Sequence, residues 1–369
     1  MTALRERHDA LLFDLDGTLF RGGTALPGAP EALAASARAG CRIGYLTNNG
    51  SRNAGQVTEH LRALGFDADQ QEVVTSGQAA ARLLAEHLEP GAAVLVVGTT
   101  ALAGQLVDAG LSIAERAEQA RAVVQGHSPD TGWHNLAEAC LAIRAGAVWV
   151  ACNTDATLPD ERGELPGNGA MVQALITATA SQPLVAGKPE PALYHEAVRR
   201  AGAERPLMVG DRLDSDIAGA NGVGMPSLLV LTGVSDATAV LFAPDRLRPT
   251  YLGADLAALA APEERLRIAP QAPWRARRDG DELLLAFDPA AANNAADDAA
   301  DNAANNAANN SAGRSEPDPV AALCALCDVH WRAGGGPVRV RAEDSVAATA
   351  LDRLGLAVGA AHPAVDPVG

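Results

Sequence analysis

The sequence predicts an α/β protein: a doubly wound, Rossmann-like parallel sheet with an inserted α/β cap domain and a small α/β C-terminal domain. Three observations carry this expectation. Short, near-continuous apolar runs alternate with alanine-rich helical stretches up to residue 262, the pattern of strands buried on both faces by crossover helices. A chain of 369 residues exceeds one ordinary domain. After residue 262 the texture changes to a basic, proline-containing stretch, a hairpin signal and a low-complexity run.

Taken in order, the predicted strands are Ala10–Asp16, Arg42–Thr47, Ala93–Gly98, Ala122–Gln125, Val148–Cys152, Leu184–Ala186, Leu207–Gly210 and Ser227–Leu231. Helices are expected over Glu31–Ala39, Asn53–Leu64, Gln78–His87, Asn135–Ala145 and Pro191–Ala201. Gly40, Gly65, Gly110 and Gly202 each stand where a helix would close, as a C-terminal cap requires. Further on, Trp274–Arg278 and Glu282–Phe287 flank Asp279-Gly280, a hairpin turn signal. The alanine- and asparagine-rich run within 289–313 cannot bury enough surface to fold and is expected to be disordered. A helix at Val320–Trp331, a strand at Val338–Arg341 and a helix at Ser345–Leu354 complete the tail. The expected division is a core of residues 1–78 and 183–262, an inserted domain of 79–182 and a tail of 263–369.

Composition narrows the class. Hydrophobic residues make up 48% of the chain but aromatics only 3%, so aliphatic side chains and alanine must pack the core. A formal charge of −16 argues against nucleic acid or an anionic membrane as partner. The N-terminal segment reads as lacking a signal peptide, and no apolar run is long enough to span a bilayer. Five irregularly spaced cysteines form no disulfide framework. A cytoplasmic location is expected, with homo-oligomerisation left open.

The chemistry gathers at strand ends. The first strand runs into Asp14-Leu15-Asp16-Gly17-Thr18. Carboxyl ends of strands are where ligands bind in doubly wound sheets. One aspartate there can attack phosphorus, and a second can protonate the leaving oxygen. By itself the segment is also ordinary turn chemistry. The second strand closes on Thr47-Asn48-Asn49, whose hydroxyl and amides can bind phosphoryl oxygens. Gly187-Lys188-Pro189 contains the only lysine of the chain, a compact ammonium that arginine does not replace beside a phosphoryl group. Gly210-Asp211-Arg212-Leu213-Asp214-Ser215-Asp216 places an acidic cluster at another strand end, and magnesium takes one or two such carboxylates with phosphate and water.

These four segments resemble the ordered motifs of the haloacid dehalogenase superfamily phosphatases, in the subgroup with a large cap between the second and third motifs. The resemblance covers roughly residues 8–260. It implies Asp14 as nucleophile and Asp16 as general acid and base. Thr47, Asn48 and Lys188 would bind the phosphoryl group. Asp14, Asp211 and the backbone carbonyl of Asp16 would ligate Mg2+, with Asp216 supporting the site from behind and Asp214 simply solvated. Within the cap, Asn153 and Asp155, with Leu158-Pro159 and Gly167-Asn168-Gly169, resemble the part that faces substrate, although Asn-Thr-Asp is equally good turn chemistry. The partner so implied is a small phosphorylated metabolite.

The tail's element order is similar to part of an acetyltransferase fold. Members of the same phosphatase subgroup that act on glycerol 3-phosphate can carry such a tail, which makes that metabolite the expected substrate, ahead of phosphoglycolate and sugar phosphates. From another class, the chain could be a non-catalytic binder of a phosphorylated metabolite, but every catalytic residue type is present. Gly334-Gly335-Gly336 precedes a strand rather than opening a helix, so acetyl transfer is not expected, and the tail is expected to be dispensable for the chemistry. Gly219–Gly224 follows a helix rather than a strand and reads as packing and turns. Cys324 and Cys327 sit in an apolar helical pattern and read as core.

Overall fold

The computed structural model describes residues 2–160, 162–292 and 317–356. The central sheet has six parallel strands in the order Tyr251–Gly253, Ser227–Val230, Pro206–Gly210, Ala10–Asp14, Arg42–Thr47 and Val73–Thr75. The first strand of the chain therefore lies inside the sheet, with Asp14 opposite Leu46 and Phe13 opposite Val209. The segments that follow Asp14, Leu46 and Val209 consequently emerge side by side at one edge.

Strand periodicity sorts the side chains between layers. Leu11 and Phe13 pack in one apolar cluster, whereas Leu12 belongs to another on the opposite face. Leu228, Val230 and Tyr251 likewise face the first cluster, while Leu229 and Leu252 face a third. This is the two-residue alternation of a pleated strand, and it explains why the runs read as continuously apolar.

The chain leaves the core after Thr75. Thr75 caps the helix Ser76–His87 by accepting from the Gln78 amide at 3.2 Å, and the Gln78 side chain accepts the Thr75 amide at 3.0 Å. This reciprocal box satisfies two otherwise orphaned donors. The inserted domain is a five-stranded parallel sheet ordered Leu184–Val185, Val148–Ala151, Ala122–Gln125, Ala93–Val97 and Ser112–Ala114. A hairpin, Thr157–Asp160 with Gly163–Pro166, extends from it. Leu184–Val185 thus pairs within the insert and not with the core. Insert and core share one cluster, in which Leu12, Leu46 and Met208 meet Leu84, Leu102, Val124 and Val150.

In the tail, Trp274–Asp279 pairs antiparallel with Glu282–Phe287, which pairs parallel with Arg339–Ala342. The helix Pro319–Arg332 packs Leu323 and Leu326 against Leu229, Val240, Leu241 and Leu252 of the core. The tail therefore has its own small sheet, as the expected α/β C-terminal domain requires, and shares an apolar cluster with the core sheet. Cys324 and Cys327 are fully buried in this cluster, as expected. Residues 289–292 are helical, because Asp288 accepts the Ala290 amide at 3.0 Å and the Ala291 amide at 3.3 Å. That corrects the expected start of the disordered run, whose remainder from 293 to 313 lies outside the described residues. The glycine run at 219–224 also behaves as packing: a Cβ on Gly219 would stand 2.3 Å from the Tyr194 ring.

Candidate active site

Core strand ends and the segment that follows the insert strand Leu184–Val185 converge on one buried ion cluster. Lys188 is 3% exposed, and its ammonium donates to Asp14 and, at 2.7 Å, to Asp216. Burial opposes the charged ammonium, but the two carboxylates outweigh it and hold the Lys188 pKa above its ordinary value. Burial pushes the Asp14 carboxyl up, Lys188 pulls it down, and repulsion from Asp211 pushes it up again. Asp216, fully buried, is pushed up to about 6, chiefly by burial. The other oxygen of Asp216 accepts the amides of Asp211 at 3.2 Å and Arg212 at 3.0 Å. Both of its oxygens are thus occupied, and the Tyr194 hydroxyl fixes the same segment by donating to the Asp216 carbonyl at 3.1 Å.

Asp211 is fully buried, with its carboxyl raised by burial and then by repulsion from Asp216. It accepts the Val234 amide at 2.7 Å and the Thr18 hydroxyl at 3.3 Å. Two glycines make room for it. A Cβ on Gly17 would lie 2.5 Å from its carboxylate and one on Gly233 only 1.9 Å away. Gly17 also has φ +86°, a conformation that a side chain strains.

Asp16 lies at the exposed rim of this cluster, and partial desolvation raises its carboxyl. Thr47 ends its strand with the hydroxyl accepting the Asn49 amide at 3.1 Å. Asn48 is a strut: its side-chain oxygen accepts the Lys188 amide at 2.7 Å, while its amide group donates to the Lys188 carbonyl at 3.1 Å and to Asp155 at 3.3 Å.

The insert enters through the same residue. Asn153, 5% exposed, donates to the Asn48 carbonyl at 2.6 Å and accepts the Asp155 amide at 3.2 Å. Asn168 in turn donates to the Asn153 carbonyl at 2.8 Å. Through its bond to the Asn48 carbonyl, the Asn153 side chain joins insert to core. Asp155 is half-buried and its carboxyl is raised by burial, against the pull of Arg212. Asp214 pairs with Arg212 at 2.9 Å in an exposed position.

Asp14, Asp16, Thr47, Asn48, Asn153, Asp155, Lys188, Asp211 and Asp216 therefore fall in one region. The positions there that the sequence did not single out are Gly233, Ser76 and Tyr194. Ser76 donates to the Asn48 carbonyl at 2.6 Å. None of the three stands in a motif; only a buried tyrosine followed by a glycine that must clear it hints at the packing of the acidic loop.

This cluster of lysine and carboxylates stands at the carboxyl edge of a Rossmann-like sheet, the edge at which such folds bind ligands. Residues 11–112 match the family model of haloacid dehalogenase-like hydrolases, and residues 185–259 match a second model described as HAD-hydrolase-like. The chain belongs to the haloacid dehalogenase-like hydrolase family.

Within it, the chain is 53% identical over 276 residues to D-glycerol 3-phosphate phosphatase of Mycobacterium tuberculosis, covering 74% of this chain and 77% of that protein. It is 38% identical to acid sugar phosphatase of Staphylococcus aureus, over 68% of this chain and 96% of that one. Among solved structures, glycerol phosphate phosphatase of M. tuberculosis in complex with magnesium superposes with a TM-score of 0.85 at 45% identity, covering 96% of this chain and 99% of that one. Residues 299–356 match a GCN5-related N-acetyltransferase like domain, in keeping with the acetyltransferase-like order of the tail.

Proposed function

We propose that this chain hydrolyses glycerol 3-phosphate through an aspartyl-phosphate intermediate on Asp14, with magnesium bound. The chain is a phosphomonoester hydrolase, as its phosphatase relatives establish. The single observation that carries the finer reading is the pairing of buried Lys188 with Asp14 beside a second acidic pair, Asp211 and Asp216.

The donor set fits a magnesium ion. Oxygens of Asp14, Asp211 and Asp216 lie within 4.8 Å of one another, Asp14 and Asp216 pair with the Lys188 ammonium, and hard carboxylate oxygens suit this cation. Asp14, Asp211 and the Asp16 carbonyl would hold it, with Asp216 positioning Lys188 and the loop. The ion would neutralise charge on the phosphoryl group.

In the reading proposed, the Asp14 carboxylate attacks phosphorus, the ester bond breaks, and the leaving alkoxide takes the Asp16 proton. Water then attacks the acyl phosphate and gives its proton to Asp16, releasing phosphate and restoring Asp14. Thr47 and Lys188 hold phosphoryl oxygens, and Asn48 contributes by fixing Lys188. Asp155 supports a polyol over a second carboxylate, because a half-buried carboxylate accepts a hydroxyl and repels an acid. Asn153 acts by holding Asp155.

Gly233→Ala tests the metal half. Its Cβ would overlap the Asp211 carboxylate, so magnesium affinity is expected to fall by about 10- to 100-fold, the usual cost of a lost support around a metal ligand. Titrating activity against magnesium checks this; an unchanged requirement removes Asp211 from the metal site. For the substrate, kcat/KM with magnesium is compared across glycerol 3-phosphate, phosphoglycolate and sugar phosphates. Glycerol 3-phosphate is expected to lead, and a clear preference for phosphoglycolate overturns the substrate while leaving the phosphatase.

A further inference from the structure

Where the tail meets the core, far in sequence from Asp14, lies a cavity of about 590 Å³. Phe242, Arg246 and Arg248 line it from the core, and His330, Trp331 and the run Gly334–Gly336 from the tail. His330 is 1% exposed, yet neither of its ring nitrogens has a hydrogen-bond partner. Buried polar groups without partners are rare in native folds and call for an explanation.

The surroundings supply one. The Arg248 guanidinium is stacked over the Trp331 ring at 4.8 Å and is anchored by Asp245 at 2.5 Å and by the Ala243 carbonyl at 3.1 Å. The Trp331 indole donates to the Leu241 carbonyl at 2.9 Å, so the stack is fixed to both domains. Arg246 is exposed on the rim and makes no side-chain ion pair or hydrogen bond among the described residues. Gly334, Gly335 and Gly336 take φ of +87°, +69° and +88°, a backbone strip without side chains that leaves the wall open. Arg278 holds this strip through the Gly335 carbonyl at 2.9 Å. Burial, then Arg278 and Arg248, lower His330 to about 4. The imidazole is therefore neutral near pH 7, with one nitrogen to donate and one to accept.

We propose that this cavity binds a small phosphate-bearing anion, held by Arg246 and Arg248 and hydrogen-bonded by His330. Guanidinium groups match phosphate oxygens, and an imidazole N–H adds a directed donor. The cavity is larger than a bare ion needs, leaving space for an organic part against Trp331 and Phe242. The occupant would touch the helix Ala237–Leu241, which starts a few residues after the Gly233–Ser235 segment that holds Asp211.

The test follows the His330 ring resonances by NMR in the full-length protein. Inorganic phosphate is titrated at constant ionic strength against chloride, and glycerol 3-phosphate is titrated against the Asp14→Asn protein. A saturable shift of the His330 ring is expected with phosphate and not with chloride. Tighter binding of the ester identifies an organic phosphate as the occupant, and equal or tighter binding of phosphate identifies the free ion. Arg246→Ala, an exposed change that leaves the fold alone, is expected to weaken the response by about tenfold or more, while turnover at Asp14 and its inhibition by phosphate stay unchanged. No His330 response, an equal response to chloride, or an undiminished response in Arg246→Ala overturns the proposal.

Discussion

Asp14→Asn is expected to lose phosphate release completely, to the detection limit of a purified preparation. An amide has nearly the same shape but cannot attack phosphorus. Uncatalysed hydrolysis of phosphate monoesters is so slow that enzymes accelerate it by up to about 10²¹-fold, so nothing measurable remains without the nucleophile. The fold should survive. Lys188 keeps Asp216 at 2.7 Å, and removing one charge relieves the repulsion between Asp14 and Asp211. Thermal unfolding should therefore move by only the shift expected of about 1 kcal/mol. Steady turnover by this variant, shown free of wild-type enzyme, would place the nucleophile elsewhere.

Cutting the chain after residue 262 is expected to prevent stable folding rather than to leave a working core. The cut would uncover Leu229, Val240, Leu241 and Leu252, which share a cluster with Trp274, Leu285, Leu323 and Leu326 of the tail. A buried leucine contributes about 1.5–3 kcal/mol, so several together approach the roughly 5–15 kcal/mol that a domain has in total. Leu213 and Ile217 belong to the same cluster and flank the loop that carries Asp216. The loss should thus reach the site itself. Circular dichroism melting of the truncated chain provides the measurement, and a melt equal to that of the full chain would show that the tail is a passenger.

The site was more legible than the packing around it. Asp14, Thr47, Lys188 and Asp211 each follow an apolar run, and strand ends gather at one edge whatever the loops do. Lys188 stood out because every other strong base is arginine. Three-residue strands such as Val73–Thr75, Ser112–Ala114 and Tyr251–Gly253 are too short to show a period. Leu184–Val185 was legible as a strand but not as a strand of the insert, since an apolar run does not say which sheet will receive it. Asn153 was legible as a polar residue of the insert, but its bond across to the Asn48 carbonyl was not, because polarity alone does not say which partner an amide finds. The tail's attachment was hidden for a related reason. A change of composition marks a change of surface exposure and chain entropy, whereas Leu229 and Leu252 reveal a second covered face only once their strands are paired.

Lys188 gives the molecule an intrinsic chemical reporter. It is the only ε-amine in the chain, it is 3% exposed, and its pKa is raised above the usual lysine value by Asp14 and Asp216 despite burial. An acylating reagent reacts with free, deprotonated amine, so the folded cluster shields this nitrogen twice, by exclusion and by protonation. Apart from the α-amino group, amine labelling of the whole chain therefore counts one event, the opening of the active site. Its rate is a clock for that opening, read by mass spectrometry on a single peptide and without any substrate in the tube.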